Sequence, residues 1–436
     1  MARDGNGIIV LGGGLAGLAC GYFAEASVYE ASDHHGGAAA SDKVDGFVFD
    51  RGIHVLQTKN QKVLDLLDEL GVRFAIRRRS AHIYAFKRFT PYPFQINSTN
   101  LPLGKRLRCV LDFLRRKENP EPADYQGWMY RNIGRGFADT FLIPYSEKFW
   151  GVHPREMTFE WTGNRVPEAK ALQVLRGAVI GVNTKVGTNA SFRYPEGAGG
   201  YGAVADSLRN KVAELHLGHE AVSVDVAQKT VTFANGKQVP FEVLVSTIPL
   251  PILVDICSEV PQEVREAVAS LRTNRIMVVN LGIKRANISS KHWVHFPEKD
   301  ISFFRISFPH NFSPETVPPG MSSVSAEVSV PEEPADRDAL IQRVVADLQK
   351  VGILREDDEV VASLAHYVRW GYCIYDEARQ QAIPVIKKWL RSVDIVPCGR
   401  YGLWTYFWSD EAILSGRKGA EQAKSHLETI KATAAA

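Results

Sequence analysis

The stretch that decides the fold runs Ile8-Ile9-Val10-Leu11-Gly12-Gly13-Gly14-Leu15-Ala16-Gly17-Leu18, completed by Ser27-Val28-Tyr29-Glu30. Four apolar residues ending in glycines read as a short buried strand, and Leu15–Ala24 reads as the helix that follows. Gly12 permits a tight turn out of the strand, Gly14 lets backbone approach a pyrophosphate, and Gly17 lets helix and strand press together. A helix opening at Leu15-Ala16 points free N–H groups and a partial positive charge at those phosphates. Glu30 ends the second strand, where a carboxylate can accept both hydroxyls of a ribose. Glycine spacing alone is weak and also fits a turn in some other α/β protein. The strand before it, the helix after it and the acid beyond a second strand supply the context a dinucleotide site requires. Gly17 and Glu30 are only 13 positions apart, a short interval for this unit. The helix must therefore be short or its link to the second strand tight.

The following segments choose between dinucleotides. Gly36-Gly37 comes just after Glu30-Ala31, and Asp50-Arg51-Gly52 soon after that. A second glycine pair lets backbone wrap a pyrophosphate from its other side, which favours FAD over NAD. Farther along, Gln61–Leu70 has helical periodicity and Ala81–Phe86 reads as a strand. Gly104–Lys117 reads as an amphipathic helix with Leu103, Leu107, Leu111 and Leu114 as its apolar stripe. Val222–Val226 and Thr230–Ala234 read as strands, with Asn235-Gly236 as a hairpin turn. Val243–Thr247 is a buried strand, Ile276 to Val330 is strand-rich, and helices are expected at Arg337–Lys350 and Ala378–Arg391. A strand near Val393–Val396 and a helix near Asp410–His426 close the chain.

This pattern predicts an α/β fold, α+β overall. A discontinuous Rossmann-type FAD-binding domain (1–80, 192–256 and 393–436) would carry two insertions: a helix-rich substrate or cap region (81–191) and an antiparallel-sheet substrate region (257–392).

The 436 residues are 45% apolar and 23% charged, with a formal net charge of +3, so nothing global calls for nucleic acid. Five scattered cysteines form no CxxC or Cys/His cluster, which argues against a disulfide framework or a structural metal and for a reducing, cytoplasmic setting. No signal-peptide pattern or spanning apolar run is visible. From Arg77 to Lys117 there are 11 Lys/Arg against one acid, Asp112. That stretch is either a solvated basic face or a site for a diphosphate, an acidic partner or peripheral contact with an acidic membrane surface.

Three runs, GGGLAGL from Gly12, EASDHHGG from Glu30 and FVFDRGIH from Phe47, together resemble the superfamily of amine oxidase, protoporphyrinogen oxidase and UDP-galactopyranose mutase. Gly399-Arg400-Tyr401-Gly402, Tyr406 and Asp410-Glu411-Ala412-Ile413 are similar to that superfamily's C-terminal flavin segment. The resemblance implies FAD held by Gly12, Gly14, Leu15, Ala16, Gly17, Glu30, Ala31, Gly36, Gly37, Gly52, His54 and Val222, and at the far end by Gly399, Arg400, Asp410, Ala412 and Ile413. A helix N-terminus there would stabilise negative charge on the flavin.

Within the superfamily the middle of the chain is most similar to the mutase branch. Gly52–Asn60 resembles G-x-H-x-F-H-T-x-N, Tyr92–Asn97 resembles Y-P-x-P-I-N, Tyr145–Gly151 resembles Y-x-x-K-x-W-G, and Arg165-Val166-Pro167 resembles R-[LIV]-P. This implies His54 beside the isoalloxazine, Tyr145 and Trp150 at a uridine pocket, and Arg165 facing substrate and flavin. Arg272 or Arg275 would match the mutases' central-strand arginine, with Arg275 taken as substrate-binding, and Tyr372 and Tyr375 would join His54 and Arg165 as catalytic candidates. From the residues alone, His54 equally fits an ordinary hydrogen-bonded histidine, Tyr145 and Trp150 core aromatics, and Arg165 a surface ion pair. Two departures stand out: the mutases' second arginine is Ala169 here, with Lys170 beside it, and their N-Y-F motif is not recognisable between Lys170 and Phe192. The resemblance thus implies a mutase-like, redox-neutral conversion of a nucleotide-linked sugar by reduced flavin. The alternatives are an oxidase, dehydrogenase or desaturase with net hydride transfer to flavin, and a non-catalytic flavoprotein.

Overall fold

A computed structural model describes residues 7–163, 165, 169–180 and 190–435. Ile8–Leu11 lies at the centre of a five-stranded parallel sheet, ordered Ile395–Pro397, Val243–Ser246, Ile8–Leu11, Ser27–Tyr29, Leu215–His216. Segments from the start, middle and end of the chain therefore build one sheet. Its central strands, IIVL and VLVS, are buried throughout, as a parallel sheet covered on both faces demands.

Leu15–Ala24 is a ten-residue helix, ended by Glu25 in the left-handed region at φ 55°. Only Ala26 then precedes the strand Ser27–Tyr29. A Cβ on Gly21 would lie 2.3 Å from Val28 Cγ2, so a glycine lets the short helix press on the strand it feeds. Both expected consequences of the 13-residue interval are present. The 27-residue helix Ser409–Ala435 packs on the other side of Leu15–Ala24. A Cβ on Gly416 would sit 2.2 Å from Ala16 O, and Ala420 and Ala423 are buried on the same face. Small residues thus bring the two helices into backbone contact. The opposite sheet face, with Ile9, Leu11 and Leu244, is covered by Leu253, Val264, Ile386 and Leu390 from the helices Leu250–Ile256, Gln262–Ala269 and Glu377–Ser392. Parts of the stretch 257–392 therefore pack with the parallel sheet.

A second sheet has seven strands, ordered Val360–Val368, Arg275–Ile283, Ser322–Val330, Arg305–Ser307, Trp293–His295, Ala81–Ala85, Arg88–Pro91. All pairings are antiparallel except Trp293–His295 with Ala81–Ala85. The hairpin 81–91 thus joins this sheet, while the helices Leu103–Leu114, Tyr125–Ile133, Ile143–Trp150 and Ala171–Val179 follow it. Val166, Pro167 and the whole stretch between Ile180 and Ala190 lie outside the described residues.

The helix Leu103–Leu114 buries Cys109 and Phe113, while its leucine stripe faces outward, with Leu103 62% and Leu107 55% exposed. The short buried face suffices because Gly134 and Gly136 come close to the backbone at Asp112 and Cys109.

Candidate functional site

The glycine turn is built so that two of its glycines cannot be replaced and one faces open space. A Cβ on Gly12, at φ 101°, would lie 2.2 Å from Thr247 Oγ1, and one on Gly17 would lie 1.8 Å from Gly12 O. A Cβ on Gly14 would meet nothing within 4 Å. No side chain caps the helix that begins at Leu15, so its first N–H groups remain for a ligand. Gly36 N donates to Gly13 O at 2.9 Å, and Gly14 and Gly36 form an isolated parallel bridge. Gly36 and Gly37 adopt φ of 95° and 54°, so the second glycine pair folds against the first. The Glu30 carboxylate accepts from Gly13 N at 2.6 Å and Ser32 N at 2.9 Å, which fixes it at the strand end with lone pairs to spare. Ala31 is exposed beside it. An uncapped helix start, open backbone and a held carboxylate fit the pyrophosphate and ribose of a dinucleotide. Val222 lies on the small three-stranded sheet, at the register shift between Ala221 and Ser223, and is 46% exposed.

The chain returns to the same place at its end. A Cβ on Gly399, at φ 75°, would lie 2.7 Å from Ala16 Cβ, and its N–H donates to Ser415 Oγ at 2.9 Å. Asp410 is in the first turn of the long helix, with Ala412 and buried Ile413 just beyond. The helix start is tied to the glycine-rich side by a Tyr201–Ser409 hydroxyl contact. Buried Asp50 organises that side: it accepts from Ser41 Oγ at 2.6 Å, Tyr194 OH at 2.7 Å and Tyr201 N at 2.9 Å. Two residues on, Gly52 (φ 118°) turns the chain to His54, whose ring lies 5.5 Å from that of Tyr201. Burial lowers the His54 pKa to about 4, so its imidazole is neutral at physiological pH.

Beyond His54 the second sheet and the helical region contribute an aromatic wall with three arginines. Tyr372 packs at a tilt against Phe149 at 4.4 Å and edge-on to Tyr406 at 5.2 Å. The Arg400 guanidinium lies 4.5 Å from the Tyr372 ring and 5.3 Å from the Tyr406 ring. Its Nε is buried without a partner, and it has no ion pair among the described residues. Arg165 donates to Tyr406 O at 2.9 Å and to Glu411 Oε2 at 2.8 Å. Arg305 pairs with Glu327, its Nη2 2.8 Å from Oε1, and reaches Tyr372 OH at 3.4 Å. Counting Arg165, Arg305 and Arg400 against Glu411 and Glu327 leaves one uncompensated positive charge. Tyr145 OH is hydrogen-bonded to His295 Nδ1 at 2.9 Å. Burial drives His295 down to about 3 and Tyr372 up to about 12, so the histidine is neutral and the tyrosine keeps its proton.

Several candidates land elsewhere. Arg275 is exposed at the end of its strand and donates to Pro331 O, so it does not join this cluster. The reason is register: Arg275 opposes Val330 at the sheet end, while Arg305 opposes Glu327 in its interior. Arg272 is taken by Glu156 at 3.1 Å. Tyr375 OH accepts from Tyr406 N at 2.8 Å under the Arg379 guanidinium, so Tyr375 positions Tyr406. Trp150, 2% exposed, packs behind Tyr372 and Tyr406 with Trp161. Arg305, Glu327 and His295 were not anticipated. Their one signal was a lone arginine in FFRISF and a lone glutamate in SSVSAEVSV, charges inside otherwise uncharged strands.

The fold and site define a flavin-dependent enzyme with FAD as its cofactor. The chain belongs to the flavin containing amine oxidoreductase family, whose model matches residues 18–423. It is 36% identical over 176 residues to coproporphyrinogen III oxidase of Propionibacterium freudenreichii subsp. freudenreichii, spanning 35% of this chain and 33% of that relative's length. Protoporphyrinogen oxidase 2 of Arabidopsis thaliana is 21% identical over 98% of this chain and 96% of its own. Among solved structures, a reduced UDP-galactopyranose mutase matches with a TM-score of 0.91 at 26% identity, covering 98% of this chain and 94% of that one. A putative protoporphyrinogen oxidase from Exiguobacterium sp. 255-15 matches with 0.76 at 15% identity, covering 98% and 100%, a likeness of fold. Among the described residues there is no metal-binding cluster and no helix long and apolar enough to cross a membrane, and all five cysteines are free and buried.

Proposed function

We propose that the chain catalyses a mutase-like, redox-neutral conversion of a nucleotide-linked sugar, with its flavin reduced. The observation that carries this is the uncompensated charge of Arg400 in a wall of three arginines and three tyrosines. A cation desolvated beside aromatic rings repels an ammonium substrate and attracts an anion such as a diphosphate. The mutase match over nearly the full chain supports the same reading. In it, Gly12–Gly17, Glu30 and Gly36-Gly37 would hold FAD, which when bound and reduced would supply the nucleophilic centre. Arg400 and Arg165 orient the anion, Tyr372 and Tyr406 exclude water, and neutral His54 offers a hydrogen bond without added charge.

Nucleotide sugars given under nitrogen, with and without dithionite, test the proposal. Product formed only by the reduced enzyme, without consumption of reduced flavin, supports it. Bleaching of oxidised enzyme by substrate overturns it. Arg165→Ala is expected to keep the yellow colour and weaken turnover about tenfold or more; unchanged turnover removes Arg165 from the site. A second reading, net oxidation of an anionic substrate, is favoured by one observation: Ala169 stands where the mutases have an arginine.

A further inference from the structure

We propose that the outer face of the helices Leu103–Leu114 and Ala171–Val179 is a docking surface for a lipid bilayer bearing anionic headgroups. The face is apolar where a soluble helix should be polar. Leu103, Leu107, Leu111 and Leu114 follow one another along the first helix at 62%, 55%, 54% and 45% exposure. Beside it the second helix turns Leu172, Leu175 and Val179 outward, with Ile180 just past its end. The helices are neighbours, joined by an Arg106 Nη1 bond to Ala178 O at 3.1 Å. These eight are most of the 12 large apolar side chains exposed among the described residues, so the exposure is concentrated rather than scattered. A ninth, Phe86, stands 42% exposed at the hairpin tip beside Lys105 and Arg108. Phe86 and Lys87 both adopt left-handed backbone, at φ 54° and 59°. A bulky residue rarely accepts that conformation, yet the turn spends it on an aromatic facing solvent.

Charge selects the occupant. Arg115, Lys117 and Arg176 flank the apolar stripe, exposed and without an ion pair among the described residues, while Lys105 lies on the far side of the helix near Phe86. Arg108 alone of the flanking cations is paired, to Asp112 at 3.5 Å and Asp139 at 3.4 Å. A second copy of the chain seated on this face would gather two sets of these unpaired cations into one interface. Leucines ringed by unpaired Lys/Arg match instead an acyl boundary beneath anionic headgroups. Two other cations of the basic stretch serve other ends: Arg77 donates to Phe312 O and Arg79 covers Tyr92.

The FAD-loaded protein is spun with vesicles of phosphatidylcholine alone and with about a third phosphatidylglycerol. Pelleting with the anionic vesicles only, released by salt, is expected. Leu107→Glu/Leu111→Glu and, separately, Arg115→Glu/Arg176→Glu should each lower the bound fraction about tenfold while keeping the flavin absorbance, since all four side chains are exposed. Failure to pellet with either vesicle overturns the proposal, as does equal pelleting with both. So does sedimentation velocity showing a dimer that Leu107→Glu/Leu111→Glu splits without any vesicle binding. None of these outcomes bears on the sugar reading, which the dithionite experiment judges alone.

Discussion

Replacing Glu327 by Gln keeps the side chain's shape and removes its charge from a pair that is nearly sealed: Glu327 is 4% and Arg305 16% exposed at the side chain. The two sit directly opposite in adjacent antiparallel strands. With the carboxylate gone, the guanidinium keeps Tyr372 OH at 3.4 Å, a long and weak hydrogen bond. A buried charge stripped of its counter-ion costs about 3–5 kcal/mol. Spread over 436 residues, at about 2.1 cal/mol/K of unfolding entropy per residue, that moves a thermal midpoint by only about 3–6 °C. Denaturant unfolding is the sharper assay, with flavin release and tryptophan fluorescence followed separately because several layers can unfold apart. Arg305→Leu/Glu327→Leu should recover most of the loss, since apolar replacement of both partners avoids desolvating any charge. A cost under about 1 kcal/mol for Glu327→Gln, or a double variant as damaged as the sum of its singles, refutes the picture of a mutually dependent buried pair.

Gly14→Ala and Gly17→Ala should part company: the first has open space for its methyl and should fold yet lose FAD, while the second meets Gly12 O at 1.8 Å and should fail to fold. Circular dichroism and flavin absorbance separate them, and a yellow Gly14→Ala protein would show that no cofactor backbone approach occurs there. Acid should unfold the protein early. His54, His292 and His366 are held at about 4 and His295 at about 3, each mainly by burial. Folded pKa values below the unfolded 6.5 mean the unfolded chain binds more protons, so stability is full above pH 6.5 and falls toward pH 4, by up to about 1.4 kcal/mol per group per pH unit. Denaturant midpoints equal at pH 7 and 5 would contradict this.

What was legible in the chain followed from local chemistry. The strand–glycine–helix–strand–acid run depends on backbone freedom and burial within about 25 residues, and Gly12, Gly14, Gly17, Glu30 and Gly36 are found in one place. The reactive side was less legible because register decides it. Nothing in FFRISF or SSVSAEVSV says that Arg305 and Glu327 meet, and shifting either strand by one residue would turn the charge to the other face. Periodicity could not orient Leu103–Leu114 for a related reason. It reports that a helix has an apolar face, while Cys109 and Phe113 reached the core because glycines at 134 and 136 opened room for the opposite side.

The charge of the site leads to a last expectation. Arg165 is held by Glu411, whose Oε2 also accepts from Trp408 N at 2.7 Å. That carboxylate competes with any phosphate for Arg165, and it stands in the first turn of the helix whose N-terminal field also favours anions. Glu411→Gln keeps an acceptor for Trp408 N, frees Arg165 and raises the net charge of the site by one. At an effective dielectric between that of the protein surface and water, one unit charge several ångströms away is worth about 1 kcal/mol. Uridine diphosphate, followed by its effect on the flavin spectrum, should therefore bind several-fold tighter to Glu411→Gln, and the gain should shrink as salt is raised. A neutral ligand should not respond. If uridine diphosphate binds the variant no better at low salt, Arg165 is a structural partner of the helix start, and the anion site is reduced to Arg400.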